Sequence, residues 1–523
     1  MSGKFYLTTP LYYVNARPHI GHSYTNIAAD VLARWQKLLG KDVLFLTGTD
    51  EHGQKIEKAA SEAGLSPKEF TDQISATFRD LWPKLNVEPT DFIRTTEKRH
   101  IDAVQAVWRE LDKKGMIYKH VYSGWYCVPD ETFFTDGQVL REGPKTLCPE
   151  CKRPVEKIDE ENFFFKMPDS ERLWLIGEIE SGKNMRILPE SRKNEVLGFL
   201  KNVVLQDLCV SRPKNRLSWG IPCPLSPNHV TYVWFDALVN YISAVGYPDR
   251  AALAKRWPAD VHLIGKDILR HHAVYWTLLL HALDLPLPKM IFAHGWWVQG
   301  GEKMSKSRGN VVDPLQVIAE FGVDAYRYFL LREATFGEDG VYSDEALTLR
   351  YNTDLANDVG NLLHRTLSMN EKYFGGKFPG FDPSFAPDGG AIRSHADRLF
   401  SNLDPMMARL AFSEALQEIW TLVSEANKFV ETNAPWKLAK APEKARELAW
   451  VMGTLLEVLR ITAQAVSPFL PGTAASMWTQ LGLDGSPSDP AQRAAGFGYF
   501  AKGASPAKGQ PLFPRREAEA EPK

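Results

Sequence analysis

The sequence predicts an α/β protein: a Rossmann-type parallel-sheet domain, a connective insertion within it, and an all-α domain after it. Three observations predict this. Short apolar runs such as Phe5-Tyr6-Leu7, Val43-Leu44-Phe45-Leu46 and Val261-His262-Leu263-Ile264 alternate with segments of helical spacing, as parallel βαβ units require. Between 118 and 230 the alternation breaks into aromatic, cysteine-bearing sequence. From 351 to 483 the spacing is helical throughout.

Composition narrows the function classes. The 523 residues suffice for several domains, and 44% hydrophobic content is ordinary for a globular chain. A formal charge of −2 provides no global basic field. Binding to nucleic acid would need local patches such as Arg212-Pro213-Lys214-Asn215-Arg216. Five cysteines are too few for a disulfide scaffold and suit a reducing compartment. Residues 1–10 lack the basic and apolar regions of a signal peptide, and no uninterrupted apolar run is long enough to span a bilayer. A cytoplasmic protein without a membrane partner is expected.

Residues 1–117 read as the first half of the sheet domain. A strand at Phe5–Leu7 is followed by a turn at Thr9-Pro10, then Pro18-His19-Ile20-Gly21-His22 and a helix. Ile27, Ala28, Val31, Leu32, Trp35, Leu38 and Leu39 form its apolar stripe, and Gly40 ends it. A loop entering a helix N-terminus suits an anion, because backbone N–H groups and the helix dipole point at it. Gly21 permits close approach, and His19 and His22 can donate to oxygens that gain charge. Alone, the two histidines fit ordinary capping as well. The strand Asp42–Leu46 then ends in the loop Thr47–Gly53, where Asp50 is either a ligand for an ammonium group or a helix cap.

The segment 118–230 reads as the insertion. Tyr122–Thr135 is strand-like, and Cys127-Val128-Pro129-Asp130 precedes Cys148-Pro149-Glu150-Cys151. The second pair has zinc-knuckle spacing, and three thiolates with one carboxylate can close a tetrahedral zinc site. The alternative is a degenerate knuckle without metal. The sheet domain resumes over 231–300. Thr231–Leu238 reads as a strand turning into a helix that bears Tyr241, and Val261–Ile264 as a strand. Gly265-Lys266-Asp267-Ile268 follows as a ribose site, with His272 one helical turn beyond Ile268. Phe292-Ala293-His294-Gly295 ends a further strand.

Residues 301–350 form a junction that begins with the basic, glycine-bounded loop Glu302–Asn310. Its Lys303 and Lys306 could hold a polyphosphate as point charges. In the helical unit 351–483, Leu355, Val359, Leu362, Leu363 and Thr366 make one buried stripe, with Asn361 and Arg365 off it. Asn433-Ala434-Pro435-Trp436 starts a helix with proline at its first position. Its tryptophan is either core or a stacking platform for a base. Residues 484–523, rich in Gly, Pro, Ser, Ala and charge, read as a partly disordered tail.

His19-Ile20-Gly21-His22 after the first strand, paired with Lys303-Met304-Ser305-Lys306-Ser307, resembles the double signature of class I aminoacyl-tRNA synthetases. Leu11–Asn15, Gly48–Gly53, Tyr232–Ala237 and Ile264–Ile268 are similar to the methionyl-tRNA synthetase family of the short bacterial type, over nearly the whole chain. The resemblance implies ATP-dependent attachment of methionine to tRNA(Met) through methionyl-adenylate, for initiation and elongation. It implies a methionine site of Leu11, Tyr13, Asp50, Trp234, Ala237, Leu238, Tyr241, Ile268 and His272, with Asp50 on the ammonium group. ATP would lie on His19, Gly21, His22, Gly265, Lys266, Asp267, Lys303 and Lys306, beside Mg²⁺. Asn361, Arg365 and Trp436 match the residues that read a CAU anticodon. One structural Zn²⁺ would sit on Cys127, Asp130, Cys148 and Cys151, although zinc-bearing relatives have cysteine where this chain has Asp130. The chain has no room for the dimerising domain of longer relatives, which implies a monomer. A class I enzyme with a large editing insertion, or with a cysteine-lined pocket, fits this sequence less well. A non-catalytic RNA-binding relative would show altered histidine or lysine motifs.

Overall fold

Six parallel strands form the central sheet of the computed structural model. They are β1 (Lys4–Tyr13), β2 (Asp42–Asp50), β3 (Asp91–Arg94), β4 (Arg186–Leu188), β5 (Val261–Gly265) and β6 (Met290–His294), in the order β3-β2-β1-β5-β6-β4. The structure describes residues 3–516 other than 16, 129–131, 135, 300–301, 304–311, 381, 383–384, 386–389, 494–495 and 501–502; for 122, 132–133 and 302–303 it describes the backbone alone. Alternate residues feed two separate cores. Leu7, Phe45, Leu263 and Phe292 pack with α1 (Ile20–Leu38), whereas Tyr6, Leu46, Ile264 and Ile291 pack on the other side with α2 (Lys98–Lys113). Burial on both faces is why these strands read as continuous apolar runs rather than as alternating ones. Because β1 and β5 are neighbours and the chain leaves them on opposite sides, a crevice opens at their carboxyl ends.

Four local expectations are corrected. β1 continues through Thr9-Pro10 instead of turning there, and a register shift between Thr8 and Leu11 absorbs the proline. β2 runs on to Asp50 rather than ending at Leu46. Gly48 makes that possible: a Cβ there would lie 1.9 Å from the Ile93 carbonyl oxygen of β3. The run Thr231–Leu238 is strand only over His229–Thr231, after which α3 (Val233–Leu238) is helical; so short an apolar run does not distinguish the two periods. Lastly, β4 lies within the stretch read as insertion and completes the main sheet beside β6. At three residues it is too short to show periodicity. The insertion proper is built on the antiparallel pair Ile117–Cys127 and Glu156–Phe165.

The helical unit behaves as its spacing requires. Leu355, Val359, Leu362, Leu363 and Thr366 are all buried, against α5 and α7 of the series α4 (Asn361–Phe374), α5 (Phe412–Asn433), α6 (Pro435–Leu438) and α7 (Ala445–Val466). The stretch Pro442–Val466 is long and apolar enough to cross a membrane, but 94% of its most apolar window is buried inside the protein, as a core helix. Arg327, fully buried, ties the two halves together. It bonds Asp30 of α1 at 2.7 Å, the Leu85 and Asn86 carbonyls at 3.0 Å, and the Pro468 and Phe469 carbonyls at 3.0 and 2.8 Å. The described part of the C-terminal stretch is laid back over both halves. Arg493 pairs with Asp404 and lies over Trp35 and Phe400, and Arg516 pairs with Glu320.

Candidate active site

A cavity of about 400 Å³ opens where β1, β5 and β6 end and α1 begins. At the α1 N-terminus the two motif histidines cap the helix reciprocally. His19 Nδ1 accepts from the Gly21 N–H at 3.1 Å, and His22 Nδ1 accepts from the His19 N–H at 3.0 Å. With both Nδ1 atoms accepting, a neutral ring carries its proton on Nε2, and both residues line the cavity. Capping and oxyanion donation are therefore compatible roles, served by different nitrogens of one ring. Gly21 leaves room for the capping ring, since a Cβ would lie 3.0 Å from His19 Cε1 and press on it. No carboxylate stands in the first turn of α1, so the positive end of the helix is left for a ligand.

The opposite wall is apolar and aromatic. Leu11 and Tyr13 from β1, Asp50 from β2, Trp234, Ala237 and Leu238 from α3, and Tyr241, Ile268 and His272 all line the cavity. Asp50 does not cap the next helix, which begins after Gly53. His272 Nδ1–H donates to the Ile268 carbonyl at 2.9 Å, so its Nε2 accepts from the Tyr241 hydroxyl at 2.7 Å. Burial pushes His272 down to about 4, and the pair is neutral. The hydroxyl and imidazole protons are thus committed to this pair and to the backbone. What this pair offers the cavity is polarizable surface. Trp234 stacks on His271 at 3.8 Å and 20°, and burial pushes His271 down to about 3.

Behind this wall lies a cluster that sequence reading missed. Asp236 of α3, wholly buried, is 2.7 Å from His52 Nδ1 through one oxygen and 2.7 Å from His100 Nε2 of α2 through the other. Burial pushes its carboxyl up, but the two histidines outweigh this and hold it below the usual range. The cluster joins the loop that follows Asp50 to the helix that carries Trp234 and Ala237. The partners stand 184 and 136 residues apart, and no spacing rule could have linked them. His294, too, is in sequence no more than a strand end. It lines the cavity with its Nε2 2.8 Å from Thr25 Oγ1 of α1, and burial lowers its pKa.

On the nucleotide side Gly265 and Asp267 line the cavity, and a Cβ on Gly265 would lie 2.6 Å from Asp267 Oδ1. Lys266 is not among the described residues that line it; its Nζ is 2.7 Å from both oxygens of Asp339. The backbone at Lys303 pairs with the strand Trp297–Gln299, whereas its side chain and all of Lys306 lie outside the described residues.

Two further groups lie away from the cavity. The sulfurs of Cys127, Cys148 and Cys151 lie within 4.8 Å of one another, with the Glu150 N–H 3.4 Å from Cys148 Sγ. Zn–S bonds of about 2.3 Å place tetrahedral sulfurs roughly 3.8 Å apart, so this cluster can hold a metal ion. Asp130 lies outside the described residues. In the helical unit, Arg365 of α4 bonds Glu431 at 2.6 Å and the Asn427 side chain at 2.9 Å, both on α5. Asn361 is exposed one turn earlier, and Trp436, three residues beyond the end of α5, is 40% exposed and not core.

Comparison with known proteins places this geometry. Residues 5–367 match the family model of tRNA synthetases class I (M), and residues 386–520 match that of the anticodon binding domain of methionyl tRNA ligase. Asn361 and Arg365 fall inside the first match, ahead of the second. The methionine–tRNA ligase of Caldanaerobacter subterraneus subsp. tengcongensis is 47% identical over 523 residues, covering 100% of this chain and 80% of that protein. That of Bacillus subtilis is 45% identical over 530 residues, covering 99% and 79%. The Mycobacterium tuberculosis methionyl-tRNA synthetase in complex with methionyl-adenylate superposes with a TM-score of 0.93 at 39% identity, over 98% of this chain and 100% of that one. On both matches and these identities, the chain belongs to the methionyl-tRNA synthetase family of class I aminoacyl-tRNA synthetases.

Proposed function

We propose that the cavity is where methionine and ATP react, with roles divided between its two walls. The chain is a class I ligase that activates methionine as its adenylate and charges tRNA with it. The observation that carries the division of roles is the meeting of a neutral aromatic pocket with a histidine-capped helix N-terminus in one cavity. Methionine lies with its thioether among Leu11, Trp234, Ala237, Leu238, Tyr241, Ile268 and His272, Tyr13 closing the pocket, and its ammonium toward Asp50. Its carboxylate attacks the α-phosphorus of ATP in line; the bond to the bridging oxygen breaks and pyrophosphate leaves with the electron pair. His19 and His22 donate from Nε2 to the oxygens that gain charge, at the positive end of α1. Asp267 receives the ribose hydroxyls, and Gly265 makes room for them. Lys303 and Lys306 hold the outer phosphates of ATP, which enters as its magnesium salt. The 2′-hydroxyl of the terminal adenosine of tRNA then attacks the adenylate carbonyl and releases AMP.

For the partners, we read the tRNA as tRNA(Met), its CAU anticodon met by Asn361, Arg365 and Trp436, and the enzyme as a cytoplasmic monomer. Cys127, Cys148 and Cys151 fit one structural Zn²⁺, with Asp130 as the fourth ligand by sequence position. Bound there, zinc would cross-link the knuckle through these side chains. ATP–pyrophosphate exchange tests the reading. Exchange that depends on methionine, and not on isoleucine or leucine, is the expected result; exchange indifferent to the amino acid would overturn it.

A further inference from the structure

Three segments meet beside the nucleotide end of the cavity: the turn Lys266–Ile268 after β5, residues 294–297 after β6, and residues 338–341. They pack without slack. A Cβ on Gly295 would lie 2.2 Å from the Glu338 carbonyl oxygen, and the Gly340 N–H donates to the Trp296 carbonyl at 2.8 Å. Lys266 stands between two residues that line the cavity but turns its ammonium elsewhere, 2.7 Å from each oxygen of Asp339 and 4.2 Å from the centre of the Trp296 ring. Asp339 Oδ1 also accepts the Trp296 backbone N–H at 2.8 Å, and the Trp296 indole N–H donates to Asp267 Oδ1 at 3.3 Å. Burial pushes the Asp339 carboxyl up, but the Lys266 ammonium and the Trp296 N–H outweigh this and hold it below the usual range.

We propose that Lys266 is a positioning residue that acts through Asp339 and Trp296 to set the orientation of the Asp267 carboxylate toward the ribose of ATP. This rests on Asp267 being the ribose seat. Lys266 fixes the tryptophan from both sides, by cation–π contact with the ring and by the carboxylate that grips the backbone N–H. The indole N–H holds one oxygen of Asp267 and so sets the plane of its carboxylate. Side-chain exposure of 41% at Asp339 makes the pair a weak contributor to stability, so its consequence is geometric. A displacement of about 1 Å at a substrate-positioning group can cost on the order of a hundredfold in rate, which makes a small latch worth keeping.

The test uses the full chain in methionine-dependent pyrophosphate exchange, with KM for ATP, KM for methionine and kcat measured separately. Asp267→Asn should raise the KM for ATP. Lys266→Met and Asp339→Asn should each raise it about five- to tenfold and leave the KM for methionine unchanged. The double variant should be no worse than either single one, because both remove the same latch. Lys266→Arg, which keeps the charge and stacks on the indole, should remain within about twofold of wild type. If Lys266→Met is severe while Asp339→Asn is wild type, or if both are impaired and their effects add, Lys266 touches ATP directly and the proposal fails. It fails alone if Asp267→Asn raises the KM for ATP and neither latch variant does. Should Asp267→Asn leave that KM unchanged, the ribose assignment falls and the proposal with it.

Discussion

Gly21 shows how much of the chemistry rests on single contacts. His19 folds its ring over this residue to cap α1, and a methyl group there would lie 3.0 Å from Cε1 and 3.2 Å from Nδ1. Gly21→Ala should therefore displace the ring, cost about 1 kcal/mol of helix capping, and slow exchange by about tenfold or more through kcat. Thermal melting separates the two effects. A variant with wild-type kcat would show that the capped orientation is not the one the reaction uses. Asp236 works at the same scale without facing the cavity, because one carboxylate gripped by His52 and His100 links the ammonium end of the pocket to its side-chain end.

At the scale of elements, α6 and the cysteine knuckle make separable demands. Trp436, the second residue of a four-residue helix, is 40% exposed, while Pro435 before it and Leu438 after it are buried. That division suits a base-stacking platform, worth about 1–3 kcal/mol by alanine substitution. Trp436→Ala should leave pyrophosphate exchange at the wild-type rate and lower kcat/KM for charging at least tenfold. Equal loss in both assays would mark the indole as structural. The knuckle makes the reverse kind of demand, since its cluster packs only a small core of its own around Phe134, Val139 and Val155. Cys148→Ser should empty a bound zinc and loosen residues 127–151, read by metal analysis and proteolysis. Protein purified without added zinc that contains none, together with a Cys148→Ser variant of unchanged stability, would remove the metal from the account.

The whole molecule carries a pH signature. His262, His271, His272 and His294 are enclosed by the sheet and its crossovers, and burial lowers all four, His271 to about 3 and His272 to about 4. In the unfolded chain each binds a proton near the ordinary value of about 6.5, so between those limits the unfolded state holds more protons. Stability is therefore full above about 6.5 and falls as the pH drops toward 4, by up to roughly 1.4 kcal/mol per pH unit for each histidine. Urea unfolding across that range checks it, and His262→Gln should remove one proton from the slope. A flat profile over this window would mean that these rings are solvated. The same enclosure is mechanical, because Arg327 welds α1 to the helical unit through a buried set of carbonyls and Asp30.

The family resemblance of its motifs named the residues of the cavity wall, whereas the sequence by itself determined the fold class and the order of the sheet and helical parts. Local physics makes these legible: apolar runs set the strands, 3.6-residue spacing sets α1 and the helical unit, and the histidine, Gly-x-Asp and cysteine-pair motifs act within a few residues of themselves. Only the tertiary structure decided the rest. It carried β1 through a proline and β2 past Leu46, drew β4 out of the insertion to finish the sheet, and made a helix of Val233–Leu238. It turned Lys266 toward Asp339 and exposed Trp436. The Asp236 cluster and the Tyr241–His272 pair have the same origin. A hydrogen bond between residues scores of positions apart leaves no periodicity in the chain, and its geometry exists only once packing has brought the partners together.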